Sequence, residues 1–279
     1  ASVSGVTPAS FALTNVKLDQ SIDFPVPGMQ AFVSGGTFGV AATATSGLPV
    51  SFASATASTC SVAGGTVTML AAGACTIVAS QAGNDTYNAA PDVPGDIPIL
   101  AQARGDLNGD NRSDLLFRHA DGRAAAWLMN GVGASASADI LPGGTGFAAT
   151  HMADFDGDGK ADILWQHPDG RAAIWLMNGL GPATTKEVMA AGGGWTVAQV
   201  RDLDGDGKAD IVWQHTDGSA AVRLMSGVAF TESASILGPG TGWHATHSGD
   251  FDGDGKGDLL WTHDDGRVAI WLMNGAAPS

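Results

Sequence analysis

The sequence predicts an all-β protein, namely a four-bladed β-propeller closed by exchange of a terminal strand and preceded by a small β-sandwich. Three observations predict this fold class. A unit of 48 residues recurs four times without insertion or deletion. Each unit holds four short segments of alternating apolar and polar residues, separated by turn residues. The region before the repeats alternates Val, Thr, Ser and Ala between Gly-containing turns, which is typical of a sandwich.

The repeats are marked by Asp-rich loops that begin at Asp106, Asp154, Asp202 and Asp250. TVAQVRD alternates before the third loop and ADIVWQH alternates after it. An Asp-Gly turn, a further strand ending in Leu-Met and a fourth segment then complete the unit. A four-stranded unit of about 40–50 residues that is repeated around an axis is a propeller blade.

Ring closure follows from the two ends of the repeat array. The last repeat stops after three predicted strands, while Val93-Pro94-Gly95 aligns with Leu141-Pro142-Gly143 one period later. We therefore expect the segment 87–95 to be the outer strand of the fourth blade. The predicted domains are then 1–86 and 87–279. Two alternatives remain open: the repeats are part of a larger propeller, or two chains combine into one ring.

Acidic residues dominate the charge, and the formal net charge is −15. This charge argues against nucleic acid as a partner. Of the 28 acidic residues, only Glu187 and Glu232 are not Asp, which points to short carboxylates held in turns. No stretch reaches the roughly 20 apolar residues of a membrane helix, so no membrane insertion is expected. The start of the sequence shows no signal peptide and resembles a mature fragment.

The Asp loops carry the pattern of a cation site. In DFDGDGKAD, Asp154, Asp156 and Asp158 alternate around a tight loop, the carbonyl of Lys160 follows, and Asp162 closes the site. An all-oxygen shell with several carboxylates on a flexible loop suits Ca²⁺. Ordinary Asp-Gly turns are the alternative, but four equivalent copies favour about four calcium ions. The remaining predicted ligand positions are Asp106, Asn108, Asp110, Arg112, Asp114, Asp202, Asp204, Asp206, Lys208, Asp210, Asp250, Asp252, Asp254, Lys256 and Asp258.

The strings DFDGDGKADILW and DGRAAIWLMNG resemble the FG-GAP/VCBS family of repeats over residues 99–275. The resemblance implies a β-propeller with calcium in the loop that joins the first two strands of each blade. The sequence departs from the family pattern at Trp165-Gln166-His167, where Gly-Ala-Pro would stand, and in having only four repeats.

Residues 18–90 resemble bacterial immunoglobulin-like domains in GLPVSFASAT, TCSV and TVTMLAAGACTIVASQAGN. This resemblance implies an immunoglobulin-like β-sandwich that acts as a spacer or stalk. Cys60 and Cys75 lie in strand-like segments of this region. We expect a disulfide between them, with two buried thiols as the alternative.

All eight Trp residues lie in the repeats, and most occupy fixed positions of the 48-residue unit. Aromatic residues at a fixed position usually fill the space between blades. The alternative is that some indole rings stack on sugars beside polar groups. The candidate ligand-binding residues are Trp195, Trp243, His244, His247 and Arg223. The two Trp residues share one position of the repeat, and the other three residues lie where the repeat is less regular.

These features predict a secreted or cell-surface recognition module that binds carbohydrate or another extracellular surface ligand. No catalytic constellation is evident, since His119 and its equivalents recur in every repeat as structural residues do. The sequence therefore predicts that the protein is not an enzyme. The alternative is a structural or targeting appendage of a larger secreted enzyme, and the oligomeric state is left open.

Overall fold

The computed structural model describes residues 16–32, 35–101 and 103–279. Every helix or strand within these ranges is a β-strand, which confirms the all-β prediction. The same residues include no helix long and apolar enough to span a bilayer. The chain divides into two compact units. The first extends to Ile99 and the second begins at Leu100, with a short stretch after Gln30 assigned to the second.

The described part of the first unit contains nine short strands in three sheets. One sheet has the order β2-β9-β8-β5, another has the order β3-β7-β6, and β1 pairs with β4. Alternate residues of β8 and β9 are buried, as expected for strands with one face in a core. The strands are β1 (Ile22–Asp23), β2 (Gln30–Ala31), β3 (Thr37–Gly39), β4 (Thr43–Ala44), β5 (Ser51–Ser54), β6 (Cys60–Ala63), β7 (Thr66–Met69), β8 (Gly73–Ser80) and β9 (Val93–Leu100).

A disulfide links two sheets of the first unit. Cys60 on β6 and Cys75 on β8 are bonded, with their Cα atoms 5.7 Å apart. Both side chains are fully buried. Because β6 and β8 belong to different sheets, the bond ties the three-stranded sheet to the four-stranded sheet.

The strand β9 belongs to the first unit and not to the repeats. It pairs antiparallel with β8, placing Ile97 opposite Cys75, and Ile97 and Ile99 are fully buried. The prediction that segment 87–95 forms the outer strand of the fourth blade, and with it ring closure by strand exchange, is therefore wrong. The physical reason is that β8 and β9 both bury alternate residues, so pairing them buries two isoleucines within the first unit. The observed boundary accordingly follows Ile99 instead of residue 86.

The second unit contains the four repeats as a series of antiparallel sheets. Repeats 2 and 3 have the four strands that the sequence predicts, in sequential order. Among the described residues, repeat 1 has three strands, and repeat 4 has three strands followed by a short hairpin. The strands of repeats 1 and 2 are β10 (Leu115–Arg118), β11 (Ala124–Asn130), β12 (Gly133–Leu141), β13 (Ala148–Ala153), β14 (Asp162–Gln166), β15 (Ala172–Asn178) and β16 (Gly181–Met189). Those of repeats 3 and 4 are β17 (Trp195–Arg201), β18 (Asp210–His215), β19 (Ala220–Ser226), β20 (Ala229–Leu237), β21 (Trp243–Gly249), β22 (Asp258–His263), β23 (Val268–Trp271), β24 (Met273–Asn274) and β25 (Ala277–Pro278).

Consecutive repeats share a hydrophobic core. The residue after the first Asp of a loop enters the core of the next repeat, where Leu107, Phe155 and Leu203 are fully buried. The buried indoles of Trp165, Trp213 and Trp261 lie in the same cores. This arrangement agrees with the packing interpretation of that set of aromatic residues.

Backbone hydrogen bonds also join each Asp loop to the next repeat. Ala161 donates its N–H to the carbonyl of Asp106 at 2.5 Å, and Gly179 donates to the carbonyl of Leu107 at 2.7 Å. The same two bonds recur one and two periods later, with Ala209 to Asp154, Gly227 to Phe155, Gly257 to Asp202 and Gly275 to Leu203. The loops are therefore part of the contact between repeats as well as turns within them.

Candidate metal centres

The first Asp of each loop folds the loop around its own carboxylate. Asp154 Oδ1 accepts the N–H of Gly157 at 2.6 Å, and Oδ2 accepts that of Gly159 at 2.8 Å. Gly159 has a φ of 87°, in the left-handed region that glycine adopts readily. The loops at Asp202 and Asp250 form the same pair of bonds. The Gly spacing in the sequence therefore shapes each loop.

Three carboxylates converge in each of the last three loops. One oxygen from each residue lies within 4.8 Å of the others in its set. Burial raises the pKa of Asp154 and Asp202, and the neighbouring carboxylates add to this effect. A cation held between such groups would offset their mutual repulsion. The sets are Asp154, Asp156 and Asp162; Asp202, Asp204 and Asp206; and Asp250, Asp252 and Asp254.

The last Asp of each loop lies beside the candidate cation site and also accepts two backbone hydrogen bonds. In Asp162, Oδ2 accepts the N–H of Phe155 and Oδ1 accepts that of Met177, both at 2.8 Å. The residue is buried, and this burial raises the pKa of Asp162 to about 7. Asp210 has the equivalent bonds, and burial likewise raises its pKa to about 7. Asp114 and Asp258 form the same bonds in the outer repeats.

The first loop keeps this geometry with a different composition. Asp106 accepts the N–H groups of Gly109 at 2.7 Å and Asn111 at 2.6 Å. Asn111 has a φ of 62° at the position where the other loops have Gly. Asn108 supplies a neutral oxygen in place of a carboxylate. This loop therefore offers one negative charge fewer to a cation.

The basic residue at the seventh position of each loop forms an ion pair with the Asp at the fifth position. Lys160 Nζ is 2.5 Å from Asp158 Oδ2, and Lys208 Nζ is 2.7 Å from Asp206 Oδ2. This hydrogen bond raises the pKa of both lysines. The equivalent pairs are Arg112 with Asp110 at 2.9 Å and Lys256 with Asp254 at 3.7 Å. The sequence predicts only the carbonyls of these residues as ligands and misses the ion pairs.

The donors in each loop are oxygen atoms, mainly from carboxylates. Such a set prefers a hard cation over a soft or redox-active one. The second unit therefore contains a row of acidic centres that could hold metal ions.

A second candidate site lies around Trp195, at the start of β17. Its ring packs against that of His215 with the centroids 4.9 Å apart and the ring planes tilted by 54°. It lines a cavity of about 410 Å³ together with polar side chains of repeats 1, 2 and 3. These polar neighbours are Arg118, Thr150, Gln166, His167, Asp169, Thr196 and Thr216.

The equivalent aromatic rings in other repeats are covered by arginine. Arg267 lies over the ring of Trp243 at 5.4 Å, and Arg171 lies over Phe147 at 5.2 Å. Repeat 3 has Ser219 at the arginine position. Trp195 is therefore the member of this set whose own repeat supplies no guanidinium to cover it.

The other predicted ligand-binding residues do not line the Trp195 cavity. His244 Nε2 lies 3.0 Å from Asp264 Oδ1 on an exposed part of repeat 4, and His247 is also exposed. Arg223 donates to the carbonyl of Val188 at 2.6 Å and stacks over Trp213 at 5.6 Å. Its partial burial lowers its pKa. Arg223 thus packs between repeats 2 and 3.

Sequence reasoning missed Gln166, which lines this cavity, and Ser219, which stands at the sequence position of the covering arginine. Gln166 donates to the carbonyl of Trp195 at 3.2 Å and accepts the N–H of Val197 at 3.1 Å, which joins repeat 2 to repeat 3. The sequence feature that could have pointed to Gln166 is the departure from the family pattern, where Trp165-Gln166-His167 replaces Gly-Ala-Pro. The signal for Ser219 is the break in the period set by Arg123, Arg171 and Arg267.

These observations define a class of protein: β-sheet repeats that pack in series, each with one acidic loop suited to a cation. Residues 106–165, 154–213 and 202–261 match the FG-GAP-like repeat, and together they cover more than half of the chain. The chain belongs to the FG-GAP-like repeat family.

No curated protein matches the sequence. Among solved structures, the chain is similar to domains 4–9 of the surface layer protein SbsC, with 11% sequence identity and a TM-score of 0.21. The match covers 92% of this chain and 49% of that protein, so the chain spans about half its length.

Proposed function

We propose that the protein is a secreted or cell-surface recognition module that binds carbohydrate at the Trp195 cavity and calcium in its Asp loops. The observation that carries this proposal is the indole of Trp195, which no arginine of its repeat covers and which lines a cavity with polar side chains. In this proposal the protein is not an enzyme, and its repeats are propeller blades of the FG-GAP/VCBS type.

The carbohydrate proposal depends on the two kinds of surface in this cavity. The face of an indole ring stacks on the apolar C–H groups of a sugar, and fixed polar groups bind its hydroxyls. Gln166 and Asp169 on one repeat and Thr196 and Thr216 on the next offer such donors and acceptors. Gln166 also bonds the backbone on both sides of Thr196, so hydrogen bonds between the two repeats fix the position of the Trp195 wall.

The calcium proposal is supported by the loops themselves. Each of the last three gathers three carboxylates in a loop with flexible glycines, and the carbonyl at the seventh position adds a further oxygen. This donor set and its adaptable geometry suit Ca²⁺ better than Mg²⁺, which demands a regular octahedron. We propose about four ions, the first bound less tightly because Asn108 is neutral.

An extracellular location is supported by the disulfide between Cys60 and Cys75, since disulfides persist in oxidising compartments. The two disulfide-linked sheets of the first unit are consistent with an immunoglobulin-like spacer. No nucleic acid or membrane partner is part of this proposal.

Glycan-array binding of the calcium-loaded chain tests the carbohydrate proposal. Trp195→Ala should remove binding because it deletes the stacking surface. Ser219→Arg should also weaken binding strongly, because it restores the arginine that covers the ring in repeats 2 and 4. Trp243→Ala is the matched control, because Arg267 already covers that ring, and it should bind like the wild type.

Two results would contradict the proposal. If binding survives both Trp195→Ala and Ser219→Arg, the sugar does not occupy this cavity. If the wild-type chain binds no glycan while it is fully loaded with calcium, a non-binding structural or targeting appendage becomes the better interpretation.

A further inference from the structure

Each contact between repeats joins two different faces. We call the face toward the following repeat the trailing face; in repeat 3 it consists of Leu203, Ala220, Val222 and Leu224. We call the face toward the preceding repeat the leading face; in repeat 4 it includes Leu259, Trp261 and Met273. These residues form one buried core. The same pairing of faces forms the cores between repeats 1 and 2 and between repeats 2 and 3.

The trailing face of repeat 4 has the same chemistry but is uncovered. It consists of Phe251, Val268, Ile270 and Leu272, whose exposed fractions run from 38% to 67%. Their equivalents in repeat 3 are at most 6% exposed. Single exposed apolar residues are common on protein surfaces, but four on one contiguous face mark an interaction surface.

The leading face of repeat 1 is uncovered in the same way. Leu115, Phe117 and Trp127 are 42–43% exposed. In repeat 2, the residues equivalent to Leu115 and Phe117 are Ile163 and Trp165, which are buried. Phe117 and Trp127 form a tilted ring pair with centroids 4.9 Å apart, close to the 5.0 Å of the tilted Trp165–Trp175 pair. Repeat 1 therefore presents the aromatic pair of a leading face with no repeat against it.

The loops show the same unpaired halves. The side-chain carbons of Lys160 lie 3.5 Å from where a Cβ on Gly109 would stand, and those of Lys208 lie 3.4 Å from the equivalent point at Gly157. At Gly253 in the fourth loop, nothing lies within 4 Å. Arg112 is the residue of repeat 1 equivalent to these lysines, and its side chain is largely exposed. No basic side chain thus covers the fourth loop at Gly253, while the equivalent side chain of repeat 1, Arg112, covers no loop of a preceding repeat.

We propose that the trailing face of repeat 4 binds the leading face of repeat 1 of a second copy of this chain. The two faces are the two halves of a contact that the chain forms three times internally, so a second copy supplies complementary chemistry without any new surface. In this contact Phe251 takes the place that Phe155 takes between repeats 2 and 3. Head-to-tail contacts of this kind close into a ring when their rotation permits it. Two copies that each contribute both faces leave neither face exposed.

Sedimentation velocity of the 279-residue chain over about 1–100 μM tests this proposal, and we expect a dimer. Phe251→Asp and Trp127→Asp should each give a monomer, because each places a carboxylate in one half of the contact. Val132→Asp is the matched control, because Val132 is a fully exposed apolar residue of repeat 1 outside both faces. It should remain dimeric. Circular dichroism should show that all three variants are folded.

Mixing the two monomeric variants gives the sharper test. Trp127→Asp retains an intact trailing face and Phe251→Asp retains an intact leading face, so together they should form a heterodimer through one contact. A wild-type chain that stays monomeric throughout the concentration range would overturn the proposal. So would a Trp127→Asp variant that dimerises by itself, because it would show that two trailing faces bind each other.

Discussion

Asp210 accepts a 2.8 Å hydrogen bond from the backbone N–H of Leu203. Asp210 is the last carboxylate of the third loop, and Leu203 is the residue whose side chain fills the core between repeats 3 and 4. One carboxylate thus connects the candidate cation site to the packing of the next repeat. The same link joins Asp114 to Leu107 and Asp162 to Phe155. Order in a loop is therefore coupled to contact between repeats.

Asp210→Asn should destabilise the second unit. The carboxylate accepts N–H groups from Leu203 and Met225, whereas an amide has one oxygen acceptor and turns an NH₂ group toward the other donor. An unsatisfied buried donor costs roughly 1–3 kcal/mol. We expect the melting temperature to fall by several degrees in calorimetry. Asp139→Asn, at an exposed residue 3.7 Å from Arg123, is the control and should change it little. Equal melting temperatures for the two variants would contradict this role of Asp210.

Removal of divalent cations should lower the melting temperature of the second unit and leave that of the first almost unchanged. A cation that binds only the folded loops stabilises them by about 2.7 kcal/mol per site at a hundredfold excess over its Kd. The acidic clusters lie in the second unit only, among the described residues. Calorimetry with a chelator, followed by addition of excess Ca²⁺, measures the effect. Two transitions that are unchanged after exhaustive chelation would contradict it.

The stability of the metal-free chain should fall as the pH rises from about 4 to above 7. Burial raises the pKa of Asp162 and Asp210 to about 7 in the folded chain, from a usual value of 3.8. The folded state therefore holds these protons more tightly than the unfolded state. The stability that they contribute is complete below pH 3.8 and is lost as the pH passes through 7.

Calcium should reverse this pH trend, because it binds the ionised carboxylates. The increase in melting temperature on addition of Ca²⁺ should thus be larger at pH 8 than at pH 5. Melting curves at both pH values, with chelator and with Ca²⁺, provide the measurement. A metal-free chain that is as stable at pH 8 as at pH 5 would show that burial does not raise the pKa of these carboxyls.

Local patterns predicted the repeats well because both the period and the alternation are local properties of the sequence. The Asp-x-Asp-x-Asp-Gly spacing matches the converging carboxylates of the third and fourth loops, where the hydrogen bonds of the first Asp to the glycines shape the loop. In the second loop Asp162 takes the place predicted for Asp158, which pairs with Lys160 instead. Which strand pairs with which was not predictable in this way. Residues 93–100 alternate as a propeller strand would, and only the buried positions of Cys75 and Ile77 opposite them decide their sheet. The bonds of Asp162 to Phe155 and Met177 likewise depend on neighbouring strands.

Loss of the disulfide should destabilise the first unit. Cys60 and Cys75 close a loop of 15 residues, for which chain entropy predicts a loss of about 3 kcal/mol on removal of the bond. Cys60→Ser combined with Cys75→Ser should therefore lower the first calorimetric transition. The calcium-sensitive transition of the second unit is the internal control. If the doubly substituted chain melts like the wild type, the link between the two sheets contributes nothing to stability.

The two phenylalanines after the first Asp of a loop provide a matched test of repeat packing. Phe155 is buried in the core between repeats 2 and 3, whereas the equivalent Phe251 in repeat 4 is half exposed. Phe155→Ala should cost about 3–5 kcal/mol because it leaves a cavity in a packed core. Phe251→Ala, measured in dilute solution where the chain is monomeric, should cost less than about 1 kcal/mol. Urea unfolding of both variants measures the difference. Similar losses would mean that Phe251 is already covered within a single chain, whereas a large difference would show that the repeats are stabilised in series, each by the loop of the one before it.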